Sequence, residues 1–198
     1  MDNRLKRRKK ECKNDLDYFS NKGKPDRERW VVKEFLSLLG VDVLESLLKS
    51  PPQESKIDVI YGELNFQVKE ITDPNVQINS IVHSNYNVAK NATNFEDSFP
   101  EPFSNDIPAI SKAYDLIKEQ SIKLSDSGKY TDEDKVNLDL IFHITRSRVG
   151  KVLLCDINES DFIDLGWRSV TCLMGNKATV IFANYNAPKI LKSAFGGI

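Results

Sequence analysis

Between Asp26 and Leu39 the apolar residues Trp30, Val31, Phe35, Leu38 and Leu39 recur at close to 3.6-residue spacing, with Pro25 and Asp26 ahead and Gly40 behind. That spacing and punctuation predict an amphipathic helix. Residues 41–48 suit a strand or a further helical turn. A short strand at 41–44 is expected, and Pro51-Pro52 ends the segment in either case. Residues 56–61 and 64–71 are rich in β-branched and aromatic side chains and flank Gly62-Glu63, which predicts a hairpin on a two-residue type II′ turn with glycine first. From 72 to 108 the composition shifts to Asn, Ser, Pro and acidic residues, which predicts an insertion or lid with a helix near 75–91. Ile110, Ala113, Tyr114, Ile117 and Ile122 then mark a helix over 108–124, and the apolar run 138–145 reads as a buried strand. Strand, helix, strand implies a right-handed crossover into a parallel pair. Strands at 168–174 and 178–184 around Gly175-Asn176-Lys177 predict a C-terminal hairpin, followed by a tail at 188–198.

Composition narrows the class. The chain has 198 residues, 40% of them hydrophobic and 29% charged, with a net charge of -1, as expected for one soluble α/β domain. The balance hides an asymmetry: residues 1–13 hold seven Lys or Arg against Asp2 and Glu11, so this segment is +5 and the remainder is -6. The expected organisation is a basic N-terminal arm over 1–25, mobile and able to bind phosphates, and a single domain over 26–198 with the insertion at about 72–108. Cys12, Cys155 and Cys172 have no CxxC spacing, and His83 and His143 are the two histidines, so neither a zinc site nor a disulfide framework is predicted. The basic start leads into no apolar leader, and no run approaches a membrane span, so a cytoplasmic protein is expected.

The first hairpin carries the chemistry. Its first strand holds Ile57-Asp58-Val59-Ile60 and its second Phe66-Gln67-Val68-Lys69, nine positions separating Asp58 from Gln67. With the order helix, short strand, hairpin, crossover helix, strand, this text resembles the D…(D/E/Q)xK pattern of the PD-(D/E)xK, or restriction-endonuclease-like, superfamily. It is similar to the QxK variant of Mrr-type restriction endonucleases. A second resemblance spans most of the chain apart from the basic arm and the insertion. Arg27-Glu28-Arg29-Trp30-Val31-Val32, the hairpin, and Leu165-Gly166-Trp167-Arg168-Ser169 with Ala187-Pro188 look like an uncharacterised bacterial family labelled as candidate endonucleases. The resemblance implies a central mixed sheet with a β-hairpin, flanking helices and a C-terminal hairpin. It also implies metal-dependent hydrolysis of DNA phosphodiester bonds by Asp58, Gln67, Lys69 and a glutamate of the first helix. Glu28 is the expected residue and Glu34 the second choice.

The residue types suit that chemistry. Residues i and i+2 of a strand share a face, so Gln67 and Lys69 stand side by side, and Asp58 joins them if its side chain lies on that face, which a one-residue bulge would reverse. Magnesium, or manganese in its place, takes hard oxygen ligands, here assigned to Asp58, Gln67 and Glu28. An ammonium such as Lys69 would stabilise charge building on the phosphoryl oxygens. Gln67 offers an oxygen but no charge where an acidic residue is usual. The alternative is therefore a nuclease-fold chain that no longer cuts and serves as a nucleic-acid-binding or protein-interaction module. Nucleic acid, DNA first, is the expected partner, no membrane is implied, and a homodimer is left open. His143 reads as a core or edge histidine, His83 as a surface residue, and Trp167 as a packing residue, with Arg168 beside it open to a cation–π pair.

Overall fold

The computed structural model describes residues 2–52, 54–74, 76–101 and 109–195. In chain order the elements are α1 (Asn3–Phe19), α2 (Lys24–Leu38), β1 (Val59–Tyr61), β2 (Leu64–Ile71), α3 (Ile78–Asn91), β3 (Ser111–Lys112), α4 (Ala113–Asp126), α5 (Asp132–Lys135), β4 (Asp139–Ile144), β5 (Val149–Gly150), α6 (Ser160–Ile163), β6 (Ser169–Met174), β7 (Lys177–Ala183) and α7 (Lys189–Ala194). They divide into two compact units, one of Met1–Arg27 with Pro74–Ile107 and one of Glu28–Asp73 with Pro108–Ile198.

The larger unit is an α/β fold around a mixed sheet of order β1-β2-β4-β6-β7. Hairpins form its two ends, β1 with β2 and β6 with β7, while β2–β4 and β4–β6 pair parallel. Gly62 and Gly175 supply the left-handed φ, +59° and +58°, with which the two turns begin. The crossover between β2 and β4 runs through α4, as the apolar run at 138–145 predicts. Strands covered on both faces need apolar residues on both, and β4 reads Leu140, Ile141, Phe142, each with no exposed surface. Phe66, Ile141 and Leu173 bury one sheet face with Val31, Val32 and Phe35 of α2. Leu140, Phe142, Val170 and Cys172 bury the other with Ala113, Tyr114 and Ile117 of α4 and with Trp167. Sheet faces left apolar by the strand pattern are thus covered by helices with matching stripes. Both outer edges of the sheet are touched by single bridges, Lys49 to Ile60 and Val180 to Phe195. A separate pair, β3 with β5, is parallel.

Burial in this sheet also sets a charge state. His143 packs edge-on to Trp30 with ring centroids 5.7 Å apart, and burial lowers its pKa while Glu70 opposes the shift. A histidine with a lowered folded pKa stays neutral while the unfolded chain takes up a proton, so its effect on stability is nil above pH 6.5 and unfavourable as the pH falls below that value. His143→Gln should therefore flatten the fall in stability between pH 6.5 and the lowered value. Urea titrations across that interval measure it, and a slope equal to that of wild type would refute it.

Three expectations are corrected. Residues 41–44 form no strand. The chain there runs into a short 3₁₀ turn at Glu45–Leu47, and the pairing with β1 is made later, by Lys49. The basic segment is not a mobile arm but most of α1, capped by Asp2, whose side chain accepts from Arg4 N. Nor are the arm and the insertion separate appendages of a domain over 26–198: together they build the smaller unit. There α1 packs on α3, burying Leu5 and Cys12 with Val82 and Ala89. Lys9 donates to the Lys90 and Ala92 carbonyls at 3.1 and 2.8 Å, satisfying acceptors at the C-terminus of α3. The guanidinium carbons of Arg4 and Arg8 lie 5.0 and 4.9 Å from the Phe95 and Phe99 ring centroids. Residues 102–108 of the expected insertion, including the expected start of the crossover helix, lie outside the described residues, as do 196–198 of the tail. The rest of that tail forms α7, whose Leu191 is buried.

Candidate active site at the hairpin edge

The antiparallel register Val59↔Phe66, Ile60↔Asn65, Tyr61↔Leu64 stops at Val59, and the next bond, from Asp58 N to Phe66 O at 2.8 Å, falls one position out of it. Asp58 thus sits at an irregular, bulge-like end of the ladder, and it is its side chain that meets Gln67 and the β2 backbone. The carboxylate accepts at Oδ2 from Gln67 Nε2 and from Val68 N, the latter at 2.8 Å. Lys69 follows Gln67 two residues along the same face of β2, in line with Phe142 of β4.

Gln67 is 3% exposed, and its amide has a partner at each end: Nε2 faces Asp58 and Oε1 accepts from the Tyr130 hydroxyl at 2.8 Å. The two partners fix the orientation, because turning the amide would set its oxygen against a carboxylate oxygen. Tyr130 is delivered by a short sequence of local devices. Gly128, with φ +68°, turns the chain out of α4. Thr131 then caps α5 in a reciprocal pair with Asp134. Between them Tyr130 packs edge-on to Trp167 with centroids 5.2 Å apart, and Lys56 Nζ lies 5.2 Å from the centroid of its ring. Burial, with Asp58 and Asp134 nearby, pushes the phenol up to about 12, so it stays a donor across the ordinary pH range.

Glu28 is placed differently. It is 8% exposed on α2, the helix whose apolar stripe covers the sheet face opposite to Gln67 and Lys69. Phe35 against Phe66 and Trp30 against His143 run α2 antiparallel to β2 and β4, so the helix end carrying Glu28 lies over the strand end nearer Lys69. The structure therefore brings Asp58 and Gln67 into direct contact, sets Lys69 on the face of Gln67, and carries Glu28 on α2 toward the strand end nearer Lys69.

Among the described residues no group of three or more His, Cys, Asp and Glu side chains could hold a metal ion. Asp58 fits the requirement of magnesium for a carboxylate, an ion that otherwise relies on water and substrate phosphates. Gln67 does not fit as a ligand while its oxygen accepts from Tyr130.

The sequence reading missed a second polar cluster, at the start of β4. Asp139, with no exposed surface, accepts from Arg168 Nε at 3.0 Å, from Arg168 Nη2, from Ser169 Oγ at 2.7 Å and from Asn65 N at 3.0 Å. Arg168 also donates to the Glu63 carbonyl at 3.1 Å. This cluster ties the starts of β2, β4 and β6 together and so fixes the strand that presents Gln67 and Lys69. Trp167 is fully buried and donates to the Ser121 carbonyl at 3.3 Å, in keeping with a packing role.

Comparison with known proteins adds a fold likeness and a family. A solved structure from Pseudomonas aeruginosa strain PAO1, described as a protein of unknown function of the monooxygenase superfamily, matches 99% of this chain and 94% of its own. Its TM-score is 0.58 and its sequence is 21% identical, a likeness of fold alone. No curated protein matches the chain. A family profile covers residues 2–198, and the chain belongs to that family, whose description reads "Putative endonuclease, protein of unknown function (DUF1780)".

Proposed function

We propose that the chain is an endonuclease with a restriction-endonuclease-like core that hydrolyses DNA phosphodiester bonds at the Asp58–Gln67–Lys69 edge. The observation that supports this reading is the hydrogen bond from Gln67 to Asp58, with Lys69 on the face of Gln67. The family description supports nucleic acid as substrate. Asp58 would hold the magnesium or manganese ion, which when bound polarises the phosphate and activates water. Glu28 is the candidate for a further carboxylate. Lys69 neutralises charge developing on the phosphoryl oxygens, and the Val68 N–H and Gln67 amide keep the Asp58 carboxylate oriented. A second reading, nucleic-acid binding without cleavage, is favoured by the engagement of the Gln67 oxygen with Tyr130.

The test combines calorimetric magnesium titration with nicking of supercoiled plasmid and cleavage of single-stranded and branched DNA. Magnesium-dependent cleavage that disappears in Asp58→Ala is the expected result. Binding of DNA with neither metal uptake nor cleavage on any substrate would replace the enzyme reading by the second.

The smaller unit bears on the same partner. On α1, Lys6, Lys10 and Lys13 are exposed at spacings of four and three residues and so form one cationic stripe. Lys6→Gln, Lys10→Gln and Lys13→Gln together should weaken DNA binding and lower the slope of log affinity against log salt by about 0.9 for each phosphate the protein no longer neutralises. Fluorescence anisotropy at several salt concentrations measures the slope. An unchanged value would remove α1 from the DNA interface.

A further inference from the structure

We infer that Tyr130 is a positioning residue of this site: its buried hydroxyl locks the Gln67 amide as a hydrogen-bond donor to Asp58, so Gln67 orients the carboxylate instead of binding metal. This deepens the proposed function and rests on it for the meaning of Asp58, but the lock itself is a property of the protein alone.

The geometry is a chain of three side chains from three places in the sequence. Tyr130 precedes α5, Gln67 lies on β2, and Asp58 immediately precedes β1. The hydroxyl donates to Oε1 at 2.8 Å, and Nε2 donates onward to Asp58 Oδ2. Polarity along the chain runs one way. An amide whose oxygen is held by a phenol presents only N–H to its other neighbour, and the ionised carboxylate of Asp58 is a pure acceptor suited to that place. A glutamate at position 67 would reverse this logic, presenting an acceptor to an acceptor. Gln67 is thus matched to Tyr130 on one side and Asp58 on the other. Tyr130 in turn has little freedom, with 4% of its surface exposed and its ring wedged against Trp167. Val68 N donates to the same Asp58 oxygen at 2.8 Å, so Oδ2 is held by two donors. The lock therefore sets the direction in which the carboxylate faces a ligand.

The readout is hydrogen exchange of the Gln67 side-chain amide, followed by NMR in the full-length, metal-free protein. Wild type should show a slowly exchanging amide. Tyr130→Phe, which keeps the ring on Trp167, should accelerate that exchange roughly tenfold, the order expected when one buried hydrogen bond is removed. Backbone amides of β2 and β4 should keep their wild-type rates, which separates release of one side chain from general loosening. Asp58→Ala, which removes the acceptor, gives a second test from the other end of the chain and should also speed the exchange. If both variants exchange at the wild-type rate, the lock is refuted, whatever the protein does to DNA. If wild type also cleaves DNA, Tyr130→Phe should lower kcat and leave KM unchanged, and a change confined to KM would overturn the positioning role. If wild type cuts nothing while the amide is released as expected, the lock stands and the endonuclease reading falls.

Discussion

Lys69→Ala should slow DNA cleavage by roughly 10²- to 10³-fold, the usual cost of removing one preorganised electrostatic stabiliser, while magnesium binds as well as before or slightly more tightly. The expectation follows from two roles beside Gln67. Asp58 is a carboxylate held by two N–H donors, and Lys69 is a cation two residues beyond Gln67. Removing Asp58 should abolish both metal uptake and cleavage, whereas removing Lys69 should separate them. Gln67→Glu sharpens the contrast. It replaces the N–H that faces Asp58 by an oxygen, so the metal-free variant should unfold at a lower temperature than wild type. An added cation would relieve the repulsion, and magnesium should raise its melting temperature more than that of wild type, because a ligand bound by the native state alone stabilises in proportion to its affinity. Equal magnesium shifts in the two proteins, or a Lys69→Ala variant that cleaves at the wild-type rate, would contradict this division of labour.

The second large effect concerns stability. Asp139→Ala should cost about 3–5 kcal/mol, because it leaves the Arg168 guanidinium, the Ser169 hydroxyl and the Asn65 N–H without the acceptor they share in a buried place. Against the ~5–15 kcal/mol that stabilises a typical domain, that is a loss large enough to unfold part of the population. Removal of both charges is a different matter. Asp139→Leu with Arg168→Met should recover most of the loss, since apolar residues of similar size often replace a buried pair without penalty. Urea denaturation of the two single variants and the double variant gives the coupling directly. A single-variant loss below about 1 kcal/mol, the range of surface pairs, would mean that the cluster does not hold the strand starts together.

These sites differ in how plainly the sequence announces them. The two hairpins, β4 and the crossover helix were legible because each carries a local signal: alternation or a continuous apolar run, punctuated by Gly62 and Gly175. The pattern Asp58, Gln67, Lys69 was legible as text, but the meeting of Asp58 with Gln67 depended on a side-chain bond at an irregular end of the ladder, which no periodicity encodes. Tyr130 and the Asp139–Arg168 pair join residues 63 and 29 positions apart, so neither had a local signature. The reading of α1 as an unstructured basic arm failed for a related reason. Its apolar stripe is thin, Leu5 and Cys12, and much of what covers it comes from a segment some eighty residues later, where Phe95 and Phe99 receive the arginines that looked free. Local propensity was overruled by a distant partner. The strand expected at 41–44 gave way to Lys49 because apolar residues alone do not say which of them will meet an edge.

That edge pairing has a consequence for life at high concentration. A sheet that ends in an open strand offers its unpaired backbone groups as a template to any other extended chain. Here the outermost strand on one side is three residues long and already exchanges two backbone bonds with Lys49, at 3.0 and 2.8 Å. On the other side β7 begins with the charged Lys177 and meets Phe195 midway. Among the described residues each border is thus interrupted, by Lys49 on one side and by Phe195 on the other, which shortens the ladder that a second extended chain could continue.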